Sequence, residues 1–201
     1  FVLVKGATET FDVGWRRQVP ALARHHRVIG LELRGHGHST NPADALDLRQ
    51  MAGDIEALLD HLACPTAHVV GFSGGASVAL FMAFRAPARL RSVTLISNNV
   101  RRDTVRAAAG FWDPERIEER DPRWLGAMAR WHDVPPATLL GWWAAEDAVR
   151  PAFTAAELAA IDVPALVVAG DRDAVVPLRE SVLLYESLPD ARLCVLPGVG
   201  H

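Results

Sequence analysis

The chain has 201 residues, half of them apolar and 22% charged, the makeup of one folded domain with a sizeable core rather than of a disordered or fibrous protein. A formal net charge of −3 with scattered arginines offers no broad basic face, which argues against nucleic acid as a partner. Cys64 and Cys194 are the only cysteines; they build no disulfide framework, sit in no metal-ligand spacing, and point to a reducing, cytoplasmic compartment.

Phe1 falls inside an apolar, strand-like run, and His201 closes the chain just after a Pro-Gly-Val-Gly turn, so both ends are expected to be cut from a longer protein. Short β-branched runs predict strands at about 1–5, 27–33, 66–71, 91–97, 164–169 and 192–196. Helical periodicity predicts helices near 14–24, 44–62, 74–86 and 177–187. This alternation predicts an α/β fold, a mostly parallel sheet of about six strands flanked by helices on both faces. The longest apolar stretches, such as 77–84, are far too short to span a bilayer, so no membrane partner is expected.

From Val100 to Ile161 the strand pattern lapses. Asp113-Pro114 and Asp121-Pro122 each read as an N-cap followed by proline at the first helical position, and Thr154 with Glu157 reads as a capping box. The expectation is a core domain of 1–99 and 162–201, interrupted by a helical cap insert at 100–161 that lies over the carboxyl ends of the strands. Five of the six tryptophans fall in this insert.

The segment from Ala67 to Val78 runs from an apolar strand through Gly71-Phe72-Ser73-Gly74-Gly75 into a helix, the setting in which G-x-S-x-G forms a nucleophile elbow. Glycines are needed there because the sharp turn leaves no room for side chains. The serine is then held at a helix N-terminus, whose free N–H groups favour a developing oxyanion.

Three further patterns accompany the elbow: Leu33-Arg34-Gly35-His36-Gly37-His38-Ser39 after the second strand, Gly170-Asp171-Arg172-Asp173 after the fifth, and Pro197-Gly198-Val199-Gly200-His201 after the sixth. In this order, across nearly the whole chain, they resemble the α/β-hydrolase superfamily, in particular its single-domain esterase- and lactonase-like members with a small helical cap. The resemblance implies a catalytic triad of Ser73 as nucleophile, Asp173 as acid and His201 as general base. Asp171 is the other candidate acid; the family pattern selects Asp173 and leaves Asp171 as a turn former. His36 and His38 are expected to shape their loop rather than to bind metal.

The same resemblance places an oxyanion hole at the backbone N–H groups of Gly74 and Ala7. The chain departs from its relatives in having Lys5 where many carry histidine before the glycine, so the support that a histidine ring gives the Ala7 loop is absent. Glu32, where relatives often have aspartate, is expected on a strand with an effect on packing alone. Trp124, Met128 and Trp131 share one helix face by their i, i+4, i+7 spacing; they pack the cap, and with Phe72 they are candidates for an apolar substrate pocket.

The sequence therefore predicts a serine hydrolase that cleaves a small to medium apolar ester through an acyl-enzyme, with no cofactor and no metal. Lactone cleavage, carbon–carbon bond hydrolysis, perhydrolysis and a receptor-like role with little turnover stay open as alternatives. Serine at the elbow disfavours dehalogenation and epoxide opening, which in this superfamily use aspartate there. The partner is expected to be a small-molecule ester or lactone, and the oligomeric state is open.

Overall fold

The computed structural model describes residues 1–101, 110–150 and 152–201. Its sheet has six strands, β1 (Val2–Val4), β2 (Ile29–Gly30), β3 (Ala67–Phe72), β4 (Leu90–Ile96), β5 (Ala165–Gly170) and β6 (Ala191–Leu196), in the order β2-β1-β3-β4-β5-β6. All neighbouring pairs are parallel, as the alternation of strands and helices in the sequence requires. Parallel strands leave all their carboxyl ends at one edge. The loops after β1, β3, β5 and β6 therefore converge there.

The helices are α1 (Phe11–Trp15), α2 (Val19–Leu22), α3 (Leu48–His61), α4 (Gly74–Arg85), α5 (Pro114–Arg120), α6 (Pro122–Trp131), α7 (Pro136–Val149), α8 (Ala155–Ala159) and α9 (Leu178–Ser187). At the core is α4, buried from Gly75 to Ala83 and packed against α3, β3 and β4. Its apolar run lacks an exposed stripe because it is covered all round. By contrast α3 is amphipathic: Leu48, Met51, Ala52, Ile55 and Leu59 are buried at helical spacing, and Asp47 caps its start by accepting from Arg49 N at 2.7 Å.

Three local differences from the expected elements have simple causes. The first expected helix is two short ones, because the chain turns after Trp15 and restarts at Val19 with Pro20 in its first turn. The helix expected from residue 44 begins at Leu48, where Asp47 supplies the cap. The second strand keeps only Ile29 and Gly30, which places Glu32 beyond it rather than on it.

Between β4 and β5 every described element is a helix. Asp113 accepts from Glu115 N at 3.0 Å and Asp121 from Trp124 N at 3.1 Å, and Thr154 and Glu157 form a reciprocal capping box. Helices α5, α6 and α7 pack on one another. Of the insert expected at 100–161, residues 102–109 and 151 lie outside the described residues.

Candidate active site

Ser73 joins β3 to α4 with φ 52° and ψ −118°, a backbone conformation that side chains disfavour. The turn is so tight that a Cβ on Gly71 would lie 2.4 Å from the Gly75 carbonyl oxygen, and one on Gly75 would lie 2.2 Å from the Lys5 carbonyl oxygen. Both obstacles are backbone, so neither can move aside. The Ser73 hydroxyl makes no capping bond to α4; it lies 3.0 Å from His201 Nε2.

The other ring nitrogen, His201 Nδ1, is 2.8 Å from Asp173 Oδ2, while Asp173 Oδ1 accepts from Val175 N at 2.8 Å and Val176 N at 2.7 Å. Burial pushes the Asp173 carboxyl up, but the Val176 N–H, the His201 hydrogen bond and charge, and the Val175 N–H together outweigh it and hold the group below the ordinary aspartate range. An ionised Asp173 keeps a proton on Nδ1. The lone pair of Nε2 is then aimed at the serine hydroxyl, the arrangement that lets an imidazole take its proton.

Asp171 stands outside this chain of contacts. Its Oδ1 accepts from Gly198 N at 2.6 Å, tying the loop after β5 to the turn that presents His201. Gly170 makes the same approach possible, since a Cβ there would sit 2.2 Å from the Val199 carbonyl oxygen.

A cavity of about 700 Å³ opens over Ser73 and His201. Gly74 and Ala7 both line it and lie side by side, with a Cβ on Gly74 falling 3.2 Å from the Ala7 Cβ. Phe72 lines it with its ring centroid 4.9 Å from that of His201, and Trp124 lines it from α6. Met128 and Trp131, expected beside them, do not line it. The stripe they share turns into the core, where Met128 is wholly buried and Trp131 packs edge-on to Trp124, the centroids 5.3 Å apart.

The apolar wall comes instead from Trp112 and Trp143, stacked at 20° with centroids 5.8 Å apart. Trp112 Nε1 donates to Asp147 Oδ2 at 2.8 Å, and Asp147 pairs with Arg150, which also lines the cavity and donates to Ser77 Oγ at 3.2 Å. These residues carry no motif. Only the concentration of tryptophans in the insert signals them, and helical spacing favoured the wrong pair.

The loop after β1 is met by buried histidines from elsewhere in the chain. His36 is wholly buried, with Nε2 2.7 Å from the Ala7 carbonyl oxygen and Nδ1 2.9 Å from that of Arg34. With its proton on Nε2 the ring donates to Ala7; with it on Nδ1 it donates to Arg34 and accepts from Trp143 Nε1, 3.1 Å away. His132 accepts from Gly37 N at 2.8 Å through Nδ1, so its Nε2–H is free to donate to the Thr8 carbonyl at 3.2 Å. Glu32 does more than pack: its Oε1 accepts from Phe11 N at 2.7 Å, at the start of α1.

Among the described residues no group of three or more His, Cys, Asp or Glu side chains could hold a metal ion, and no helix is long and apolar enough to cross a membrane.

The chain is similar to known proteins. The chain is 29% identical, over 93% of its length and 78% of the relative's, to a protein of Azorhizobium caulinodans whose name proposes a carbamate hydrolase. It is 26% identical to 3-oxoadipate enol-lactonase 2 of Acinetobacter baylyi, over 90% of this chain and 74% of that one. The crystal structure of a hydrolase from Pseudomonas aeruginosa PA01 superposes with a TM-score of 0.78 at 31% identity, covering all of this chain and 82% of the other. The sequence pattern of the alpha/beta hydrolase fold matches residues 1–141, and the chain belongs to that family.

Proposed function

We propose that this chain is a serine hydrolase that cleaves a carboxylic ester of a small to medium apolar substrate through an acyl-enzyme. One observation carries the reading: a Ser73 hydroxyl, a His201 imidazole and an Asp173 carboxylate joined at 3.0 and 2.8 Å, with the serine and the histidine on the floor of a cavity with aromatic walls. His201 Nε2 takes the hydroxyl proton as Ser73 Oγ attacks the carbonyl carbon. The tetrahedral oxyanion is met by the N–H groups of Gly74 and Ala7. Collapse expels the alcohol, which receives the proton from His201; a water activated by the same nitrogen then releases the acid.

Under this proposal residues 100–161 act as a cap, with Trp124, Trp112 and Trp143 forming an apolar roof over the reacting carbonyl. The same machinery opens a lactone ring, and the resemblance to an enol-lactonase favours that as the second reading. A lactone differs only in that its leaving alcohol stays tethered.

The test is covalent labelling with a fluorophosphonate, together with hydrolysis of a nitrophenyl ester series and a lactone panel. Wild type is expected to label and turn over, and Ser73→Ala to lose turnover by at least roughly a thousandfold. Undiminished activity in Ser73→Ala would end the proposal, and slow labelling with no turnover of any ester or lactone would favour a binding role.

A further inference from the structure

We infer that Lys5 is the positioning residue of the oxyanion hole, its buried side chain orienting the peptide that presents the Ala7 N–H to the substrate; the inference rests on the acyl-enzyme reading above. Among the largest fully buried side chains Lys5 is the one that is charged. Its Nζ donates to the Gly6 carbonyl oxygen at 3.2 Å. Since Nζ lies in the interior, the Gly6 carbonyl points inward. In a trans peptide the following N–H points the opposite way, and the chain contains no cis bonds among its described residues. The Ala7 N–H is thereby turned outward, on the side where Ala7 lines the cavity with Ser73 and Gly74.

Two carboxylates keep the ammonium in such a place. Glu32 and Glu9 flank it as opposite charges, and each has a buried Oε2 without a hydrogen-bond partner. Both belong to the same loop system: Glu32 Oε1 accepts from Phe11 N at the loop's far end, and the Gly6 N–H faces the Glu9 carboxylate. His36 and His132 continue the pattern one and two residues on, at the carbonyls of Ala7 and Thr8. Three successive carbonyls thus lie against buried side-chain nitrogens. A loop held this way does not have to reorganise when charge develops on the substrate oxygen, which is the condition for an effective oxyanion hole.

Burial lowers the Lys5 pKa to about 7 against the pull of Glu32 and Glu9. The geometric role survives that shift, because a neutral amine still donates. It is the N–H donor, rather than the charge, that the orientation of Gly6 requires.

The experiment removes the donor together with the charge of Glu32, one of the two carboxylates that flank it. Lys5→Met is made together with Glu32→Gln, whose amide oxygen can still accept from Phe11 N, and is compared with Glu32→Gln alone and with Lys5→Gln in the same background. With nitrophenyl esters, the Met pair is expected to lose roughly 10- to 100-fold in kcat with KM within about threefold. Its affinity for a trifluoromethyl ketone, which forms an oxyanion on Ser73, should fall in parallel, since binding and turnover draw on the same transition-state contact. Lys5→Gln, still able to donate, is expected within about fivefold of wild type. A folded Met pair with kcat within about threefold of Glu32→Gln alone overturns the inference, as does a Glu32→Gln chain that loses as much as the pair. If the Met pair does not fold, the Gln pair decides: retained kcat supports the role, and a loss of about tenfold or more overturns it. Ser73→Ala in the same assay separates this outcome from failure of the hydrolase reading, which would leave that variant active.

Discussion

The two walls that meet at Ser73 are built in different ways. The elbow between β3 and α4 is set by backbone against backbone: Gly71 and Gly75 fit because a Cβ would strike carbonyl oxygens of Gly75 and Lys5. The facing loop after β1 is set by side chains, with Lys5, His36 and His132 at the carbonyls of Gly6, Ala7 and Thr8. Backbone-defined geometry admits one residue type. Side-chain-defined geometry can be reached by several.

The two walls should differ most at Gly75. An added methyl at 2.2 Å from Lys5 O and 2.5 Å from Val4 O must push β1 away from the elbow. Gly75→Ala is therefore expected to destabilise the fold by at least about 3 kcal/mol, measured by denaturant titration. A variant with wild-type stability would show that the elbow yields as readily as the loop.

On the loop side the expected loss is smaller and falls on turnover. His132→Ala leaves the Gly37 N–H without its acceptor and the Thr8 carbonyl without a donor, a local cost of about 1–3 kcal/mol. The fold should survive, and kcat should fall by roughly tenfold with KM little changed. Loss of cooperative unfolding in this variant would place the loop in the same class as the elbow.

This difference also explains which parts are legible in the sequence alone. Ser73 and its glycines follow from steric necessity, so the motif names them. Strands such as Ala67–Phe72 and Ala165–Gly170 stand within a residue or two of where β-branched runs put them, because a buried parallel strand needs an apolar segment bounded by turns. Met128 and Trp131 mislead because helical spacing says which residues share a face but not what that face meets. Trp112 and Trp143, 31 positions apart in the chain, reach the cavity only through the packing of α5, α6 and α7. The role of Glu32 is hidden for a similar reason: its partner, Phe11 N, lies 21 residues away across the loop system.

The roof is a third kind of wall, held in part by buried charge, and the effect expected there is the smallest. Glu146 on α7 is nearly inaccessible, and its Oε2, which has no hydrogen-bond partner, sits 3.8 Å from Arg150 Nε. Burial pushes its carboxyl up to about 7, with Asp147 and Asp47 adding to the rise and Arg150 opposing it. The folded state therefore keeps a proton that the unfolded chain gives up near the ordinary glutamate value, and ionising the group in place costs stability. Its contribution is complete below about pH 4.5, declines as the pH rises from there, and is lost above about pH 7. Glu146→Gln removes the titration while keeping the shape, so relative to wild type it should gain roughly 1–2 kcal/mol between pH 5 and pH 8. Thermal melts of the two proteins at those pH values test this. Parallel pH profiles would mean that Arg150 neutralises Glu146 fully, and the roof would then be held by an ion pair as firmly as the elbow is held by its backbone.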